Sequence, residues 1–177
     1  EVDDVAMDYL HAHGREPKAL FTSDEDAVFA EVYDIDLSTI QPIVAKPHFV
    51  DNVVPAKESL GVKIDEAFLG SCNNGRLEDL RVGAKLIKGK KVAPEVRFLV
   101  VPASRQVYQD AMKEGLLDIF MEAGAIVMNP NCSVCWGSCQ GVIGEGETLI
   151  STGTRNFKGR AGHRDSFVYL ASAATVT

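Results

Sequence analysis

The sequence has little of what several classes of protein require. Basic residues are outnumbered, 18 against 25 acidic ones, and the formal net charge of −7 argues against nucleic acid or an anionic membrane surface as a partner. No apolar run approaches the roughly 18 to 20 residues of a membrane span. No basic-then-apolar secretion signal precedes residue 20. We therefore expect a cytoplasmic protein without nucleic-acid or membrane partners.

Cysteine is equally scarce, but it is concentrated. Only 4 of 177 residues are cysteine, and all but Cys72 fall in M-N-P-N-C-S-V-C-W-G-S-C-Q at 128–140. Two structural disulfides are one interpretation. A C-x-x-C in a chain of this size is more typical of a metal or redox site in a reducing compartment.

The pattern of the chain predicts one α/β domain preceded by an arm. Residues 1–60 are expected to contain a helix over 1–14, a half-buried strand over 32–37 and an irregular, proline-punctuated arm. Residues 61–177 are expected to form the domain itself. The chain opens on Glu1 rather than methionine, so we expect a processed product or a piece of something longer.

From residue 61 onward, apolar runs alternate with segments of helical periodicity. The predicted strands are 62–69, 96–102, 125–128 and 148–152. The predicted helices are 76–89, 106–123 and 166–176. Strands that alternate with helices imply a parallel sheet with right-handed crossovers. The predicted fold class is α/β, a three-layer Rossmann-like domain with a mainly parallel sheet and helices on both faces.

Three informative loops follow predicted strands. They contain Cys72, Cys132 and Arg155. In open α/β sheets, binding sites collect at the carboxyl ends of the strands, where neighbouring loops face one crevice. We therefore expect the three loops to meet.

The four cysteines allow more than one kind of site. A thioredoxin-type pair would leave the upstream Cys72 unexplained. A closed zinc site could use Cys72, Cys132, Cys135 and Cys139, but structural zinc usually takes two close-set pairs of ligands. An iron–sulfur cluster held by three cysteines would instead leave one iron open to bind a substrate hydroxyl or carboxylate. We favour the iron–sulfur interpretation.

Two arginines follow the last predicted strand, in S-T-G-T-R-N-F-K-G-R at 151–160. Guanidinium is the best bidentate partner for a carboxylate, so Arg155 and Arg160 beside a metal site indicate a di- or tricarboxylate substrate. A solvated basic loop is the alternative interpretation.

Four stretches of the sequence resemble those of a known family. The stretches D-N-V-V-P at 51–55, G-S-C-N-N-G-R-L-E-D-L-R at 70–81, N-P-N-C-S-V-C-W-G at 129–137 and R-N-F-K-G-R at 155–160 match in order and spacing. They resemble the aconitase superfamily, in particular the large subunits of 3-isopropylmalate dehydratase and homoaconitase. The likeness covers almost the whole chain.

The resemblance implies a cofactor and a role for each of five residues. Cys72, Cys132 and Cys135 would hold a [4Fe–4S] cluster, while Arg155 and Arg160 would bind substrate carboxylates. The open iron in such enzymes binds the hydroxyl and a carboxylate of the substrate, so that water is removed and added back stereospecifically.

Several departures from the aconitase pattern favour the isopropylmalate branch. The usual C-G-P-C is C-S-V-C at 132–135, Asn73 replaces a threonine, Thr154 replaces an asparagine, and Cys139 is extra. The resemblance therefore implies interconversion of 2- and 3-isopropylmalate in leucine biosynthesis, with homoaconitase or aconitase activity as the alternative. A non-catalytic protein with a four-cysteine zinc site is the alternative of another class.

The resemblance also implies partners. Only the third domain of a longer large subunit is matched, and the family's serine base belongs to a separate small subunit or swivelling domain. We identify no catalytic residue in the chain itself. These residues are expected to fold alone but to show no dehydratase activity without the small subunit and the remaining large-subunit domains.

Overall fold

The computed structural model describes residues 2–177 and forms two compact units, which divide between Ile40 and Gln41. The sequence predicts an arm over 1–60 and the α/β domain over 61–177. Of the described residues, no helix combines the length and apolar character of a membrane span.

Among its described residues the first unit contains one α-helix, α1 (Asp4–Ala12), which begins where the Asp3 carboxylate accepts a hydrogen bond from the Ala6 N–H. The strand predicted over 32–37 is wrong. Val32 and Tyr33 are both 76% exposed, and the backbone there pairs with no other strand. Alternation of apolar and polar residues needs a neighbouring strand to become a sheet, and the described residues provide none.

The second unit is built around one sheet of seven strands. The strands are β1 (Ile43–Ala45), β2 (Val53–Pro55), β3 (Glu66–Gly70), β4 (Arg97–Val101), β5 (Ile126–Val127), β6 (Thr148–Ser151) and β7 (Phe167–Ala171). The helices are α2 (Ser71–Asn74), α3 (Leu77–Ile87), α4 (Arg105–Lys113), α5 (Leu116–Ala123) and α6 (Ala173–Val176).

The strands lie in the order β2-β1-β7-β6-β3-β4-β5. The pairs among β7, β6, β3, β4 and β5 are parallel, whereas β1 pairs antiparallel with both β2 and β7. The predicted α/β class with a mainly parallel sheet is confirmed. Along the chain, β4 and β5 are added on one side of β3, and β6 and β7 on the other. The order therefore reverses between β3 and β6, where an open α/β sheet leaves a crevice beyond its carboxyl ends.

The two faces of the sheet are covered differently. Ala67, Leu69 and Val100 pack against α3, α4, α5 and α6. Phe68 and Leu99, on the opposite face, pack against the loop residues Met128, Val134, Ile143 and Ala161. Helices on both faces were expected, but in residues 41–177 the second layer consists of loops. These loops carry the three later cysteines and the two arginines, namely Cys132, Cys135, Cys139, Arg155 and Arg160.

Two further predicted elements differ from the structure. The helix predicted over 106–123 is interrupted, because Gly115 adopts a left-handed conformation with φ of 70° between α4 and α5. The helix predicted over 166–176 is wrong for most of its length, since 167–171 is β7 and pairs with β1 and β6. Hydrogen bonding to a strand on either side outweighed the preference of the small residues in this segment for a helix.

The proline-rich arm is not irregular throughout. Its strands β1 and β2 form a hairpin that extends the sheet beyond β7. Pro55 lies in β2, the edge strand, where a missing N–H costs no bond to a further strand.

Candidate functional site

Cys72 lies in the single helical turn α2, directly after β3. A Cβ at Gly70 or at Gly75 would overlap the carbonyl oxygen of Val101 in the neighbouring strand. Only glycine therefore lets the chain turn so closely over the end of β4. The result is an exposed cysteine at the carboxyl edge of the sheet.

Thr152, the residue after β6, clamps this turn from the other side. Its hydroxyl oxygen accepts a hydrogen bond from the Gly70 N–H at 2.9 Å, and its backbone carbonyl accepts one from the Asn74 side-chain amide. Thr152 is only 1% exposed. Sequence reasoning missed both Thr152 and Asn74. The sequence does show a polar residue, Thr152, at the end of an apolar strand. That pattern does not indicate which residues its hydroxyl and carbonyl will bond.

The second cysteine loop makes a tight turn over Ser133–Cys135. Ser133 is fully buried with φ of 45°, and its hydroxyl donates to the carbonyl of Gln140 at 2.7 Å. Val134 enters the core of the loop-covered face. Because these two residues point inward, Cys132 stays exposed and Cys135 half-buried at the surface of the turn.

The two cysteine loops meet at the end of β6. The Cys135 sulfur lies 3.9 Å from the position that a Cβ at Gly153 would take. Gly153 follows Thr152, which is bonded to residues on either side of Cys72. The structure thus brings the Cys72 turn and the Cys135 turn to the same two residues, at the point where the strand order reverses.

The arginine loop packs on the second cysteine turn. Gly137 has φ of 76°, and a Cβ there would overlap the carbonyl oxygen of Arg160. The Arg160 guanidinium carbon lies 5.6 Å from the centre of the Phe157 ring, and its Nε is buried without a hydrogen-bond partner. A buried donor without a partner is costly unless a ligand completes it. Arg155 is exposed, and its guanidinium donates to the Thr154 hydroxyl at 3.0 Å.

All four cysteines are free thiols. Around one zinc ion, a Zn–S length of about 2.3 Å puts tetrahedral sulfurs about 3.8 Å apart. Over residues 2–177, no three His, Cys, Asp or Glu side chains are grouped to hold a single ion. A cluster binds each thiolate through a different iron and does not require that spacing.

An ion-pair network lies under the stem of the second cysteine loop. Arg97 donates to Glu66 from Nε and to both oxygens of Glu147 from its two terminal nitrogens, each at 2.9 Å. Burial raises the pKa of Glu66 to about 7, against the opposing effect of Arg97. The hydrogen bonds from Arg97 lower the pKa of Glu147. Glu66 lies beneath Gly141, so the network supports the loop rather than contributing to the cysteine turn.

These features define an α/β domain with thiol and guanidinium groups on converging loops at one sheet edge. The chain belongs to the aconitase family, since the family model described as aconitase (aconitate hydratase) matches residues 56–177. Enzymes of this family carry an iron–sulfur cluster. Three free thiols on two converging turns are donors of the kind that such a cluster requires.

Individual relatives share a more specific name, 3-isopropylmalate dehydratase large subunit. The protein from Aquifex aeolicus (strain VF5) is 49% identical over 179 residues, covering 98% of this chain and 41% of the relative. The protein from Hydrogenobaculum sp. (strain Y04AAS1) is 48% identical over 174 residues, with the same coverage. The protein from Geobacter sulfurreducens (strain ATCC 51573 / DSM 12127 / PCA) is 52% identical over 157 residues, covering 89% of this chain and 36% of the relative. The chain spans about two-fifths of the length of these curated relatives.

Proposed function

We propose that this chain is the cluster-bearing part of a hydro-lyase that interconverts 2-isopropylmalate and 3-isopropylmalate in leucine biosynthesis. In this proposal Cys72, Cys132 and Cys135 hold a [4Fe–4S] cluster, and Arg155 and Arg160 bind the carboxylates of the substrate. The name shared by the relatives supports the choice of substrate.

One structural observation carries the proposal. The turn of Cys72 and the turn of Cys135 meet at Thr152 and Gly153, and the loop of Arg160 packs directly on the second turn. Free thiols and a guanidinium group thus share one edge of the sheet, which supports these roles. A structural metal site would need the thiols but not the buried, unpartnered guanidinium nitrogen beside them.

The cysteines and arginines divide the chemistry between them. When bound, the cluster supplies a Lewis-acidic iron that no cysteine occupies. The Arg160 Nε offers a desolvated donor to one substrate carboxylate, and Arg155, at the exposed mouth, offers a second guanidinium. Together the two residues orient the substrate so that hydroxide and a carbon-bound proton leave as water and return with the hydroxyl on the neighbouring carbon.

The chain does not supply the base that removes this proton. His163 is the histidine nearest to the arginines in the sequence, and its ring accepts a hydrogen bond from the Asp165 N–H at 3.2 Å. Its backbone carbonyl accepts a hydrogen bond from the Ser166 hydroxyl at 2.6 Å, which closes a local turn around it. We propose that a small subunit provides the base and that further large-subunit domains complete the site. We also propose that the enzyme lies in the cytoplasm and acts on a small carboxylate, without a nucleic-acid or membrane partner.

Turnover by separated parts tests this function. The chain is reconstituted with iron and sulfide under anaerobic conditions and assayed with 2-isopropylmalate, homocitrate and citrate. The complete large subunit with its small subunit should prefer 2-isopropylmalate, because the relatives carry that name. The chain alone should be inactive. Preference for citrate or homocitrate would overturn the substrate assignment, and turnover by the lone chain would show that it contains the base.

A further inference from the structure

Asn156 separates the two arginines in the chain, and its side chain faces the interior. Asn156 is 1% exposed, whereas its neighbour Arg155 is exposed. The side-chain amide of Asn156 donates one hydrogen bond to the carbonyl of Lys46 at 2.9 Å and one to the carbonyl of Phe49 at 3.2 Å. Both amide hydrogens are therefore used, and each reaches a different backbone group.

Both carbonyls belong to the turn that joins β1 to β2. Within that turn, the Lys46 N–H donates to the carbonyl of Asn52 at 2.9 Å, and the Asn52 N–H donates to the carbonyl of Phe49 at 3.2 Å. The turn is therefore closed by its own hydrogen bonds and can act as an anchor. Asn156 joins it to the arginine loop across more than 100 residues of sequence.

The arginine loop has few other restraints between Gly153 and Phe157. No strand or helix forms there, and Arg155 contacts only its neighbour Thr154 by a side-chain hydrogen bond. A residue held at its amide nitrogen by two carbonyls fixes the backbone on either side of it. We infer that Asn156 is a positioning residue that sets where Arg155 and Arg160 stand, and that the hairpin of β1 and β2 serves as its support.

This inference rests on the proposed role of the two arginines as carboxylate ligands. A purely structural asparagine would affect folding and cofactor retention together with activity. A positioning asparagine affects substrate affinity at unchanged cluster content, because misplacing a binding group by about 1 Å can cost on the order of 100-fold in rate.

The test uses Asn156→Asp and Asn156→Ser in the complete enzyme. Aspartate has the same shape but, when ionised, donates nothing to the two carbonyls, and serine keeps one short donor. We expect kcat/KM for the hydroxydicarboxylate to fall roughly 10- to 100-fold in both, mainly through a higher KM. Cluster absorbance per chain should stay at the wild-type level. The loss in Asn156→Asp should shrink as the pH falls toward 5, because a protonated carboxyl again donates one hydrogen bond.

Gln106→Glu is the matched control. Gln106 is exposed on α4, outside the hairpin and the arginine loop, and its side-chain amide donates to Asp110 at 2.9 Å, so its variant should leave KM unchanged. Asn156 variants with wild-type kcat/KM would overturn the inference, as would variants that lose activity and cluster in parallel. Arg155→Lys and Arg160→Lys are measured beside them. If these are also silent, the proposed function fails; if they are impaired while the Asn156 variants are not, only the role of Asn156 fails.

Discussion

Replacing Glu66 by glutamine should remove most of the pH dependence of stability near neutrality. Glu66 is fully buried in β3, and one of its carboxylate oxygens has no hydrogen-bond partner. Burial disfavours the ionised form and raises the pKa of Glu66 to about 7. The unfolded chain ionises this group at an ordinary value, so the folded state holds a proton that the unfolded state releases.

The sign and size of the effect follow from linkage. A raised folded-state pKa gives a stabilising contribution that is complete below the unfolded pKa and is lost as the pH rises through the folded one. A shift from 4.5 to about 7 corresponds to about 3 kcal/mol, at about 1.36 kcal/mol per pKa unit. The resolved shifts of Asp65, Asp110, Glu114 and Glu147 are downward, so their contributions change below this window.

Urea unfolding of the 177-residue chain at several pH values measures how the free energy of unfolding depends on pH. The free energy of unfolding of the wild type should fall by about 3 kcal/mol between pH 5 and 8, whereas that of Glu66→Gln should change by less than about 1 kcal/mol. Glu114→Gln is the control, since that carboxylate pairs with Arg81 near the surface and should leave the wild-type slope intact. An unchanged slope in Glu66→Gln would refute the reasoning.

Two further predictions concern the site. Arg155→Lys and Arg160→Lys in the complete enzyme should each lower kcat/KM by the equivalent of about 2 to 4 kcal/mol, because lysine lacks the planar two-donor fork. The melting temperature and the cluster content should not change. Unchanged kinetics in both variants would mean that the arginine loop is only a solvated surface loop. Ser133→Ala should destabilise the chain to urea by about 1 kcal/mol through loss of the bond to Gln140. Ser133→Gly should be the more stable of the two Ser133 variants, because φ of 45° favours glycine; the opposite order would contradict that account.

The sheet was predictable where its strands are continuous apolar runs. Apolar runs in the sequence predict β3, β4 and β6, and the alternation of these strands with helices predicts the crossovers. β7 was not predictable, because its sequence is compatible with a helix. Only pairing with the neighbouring strands β1 and β6 selects the extended form. The hairpin of β1 and β2 was not predicted either, because its prolines are typical of an irregular segment.

The positions of the site loops could be predicted, but their attachments could not. Strand ends place Cys72, Cys132 and Arg155 at one edge without any knowledge of contacts. The contacts of Thr152 and Asn156 join residues about 80 and 110 positions apart, and local pattern carries no information on such pairs. A glutamate inside an apolar strand marks Glu66 as unusual, but the sequence does not name Arg97 as its partner.

Three of the four cysteines, Cys72, Cys132 and Cys135, are proposed to hold a cluster. Each cysteine is changed to serine in turn, the chain is reconstituted anaerobically, and bound iron, sulfide and visible absorbance are measured per chain. We expect Cys72→Ser, Cys132→Ser and Cys135→Ser each to lose most of the cluster, and Cys139→Ser to retain it. A chain that needs Cys139 but keeps its metal without Cys72 would contradict the account.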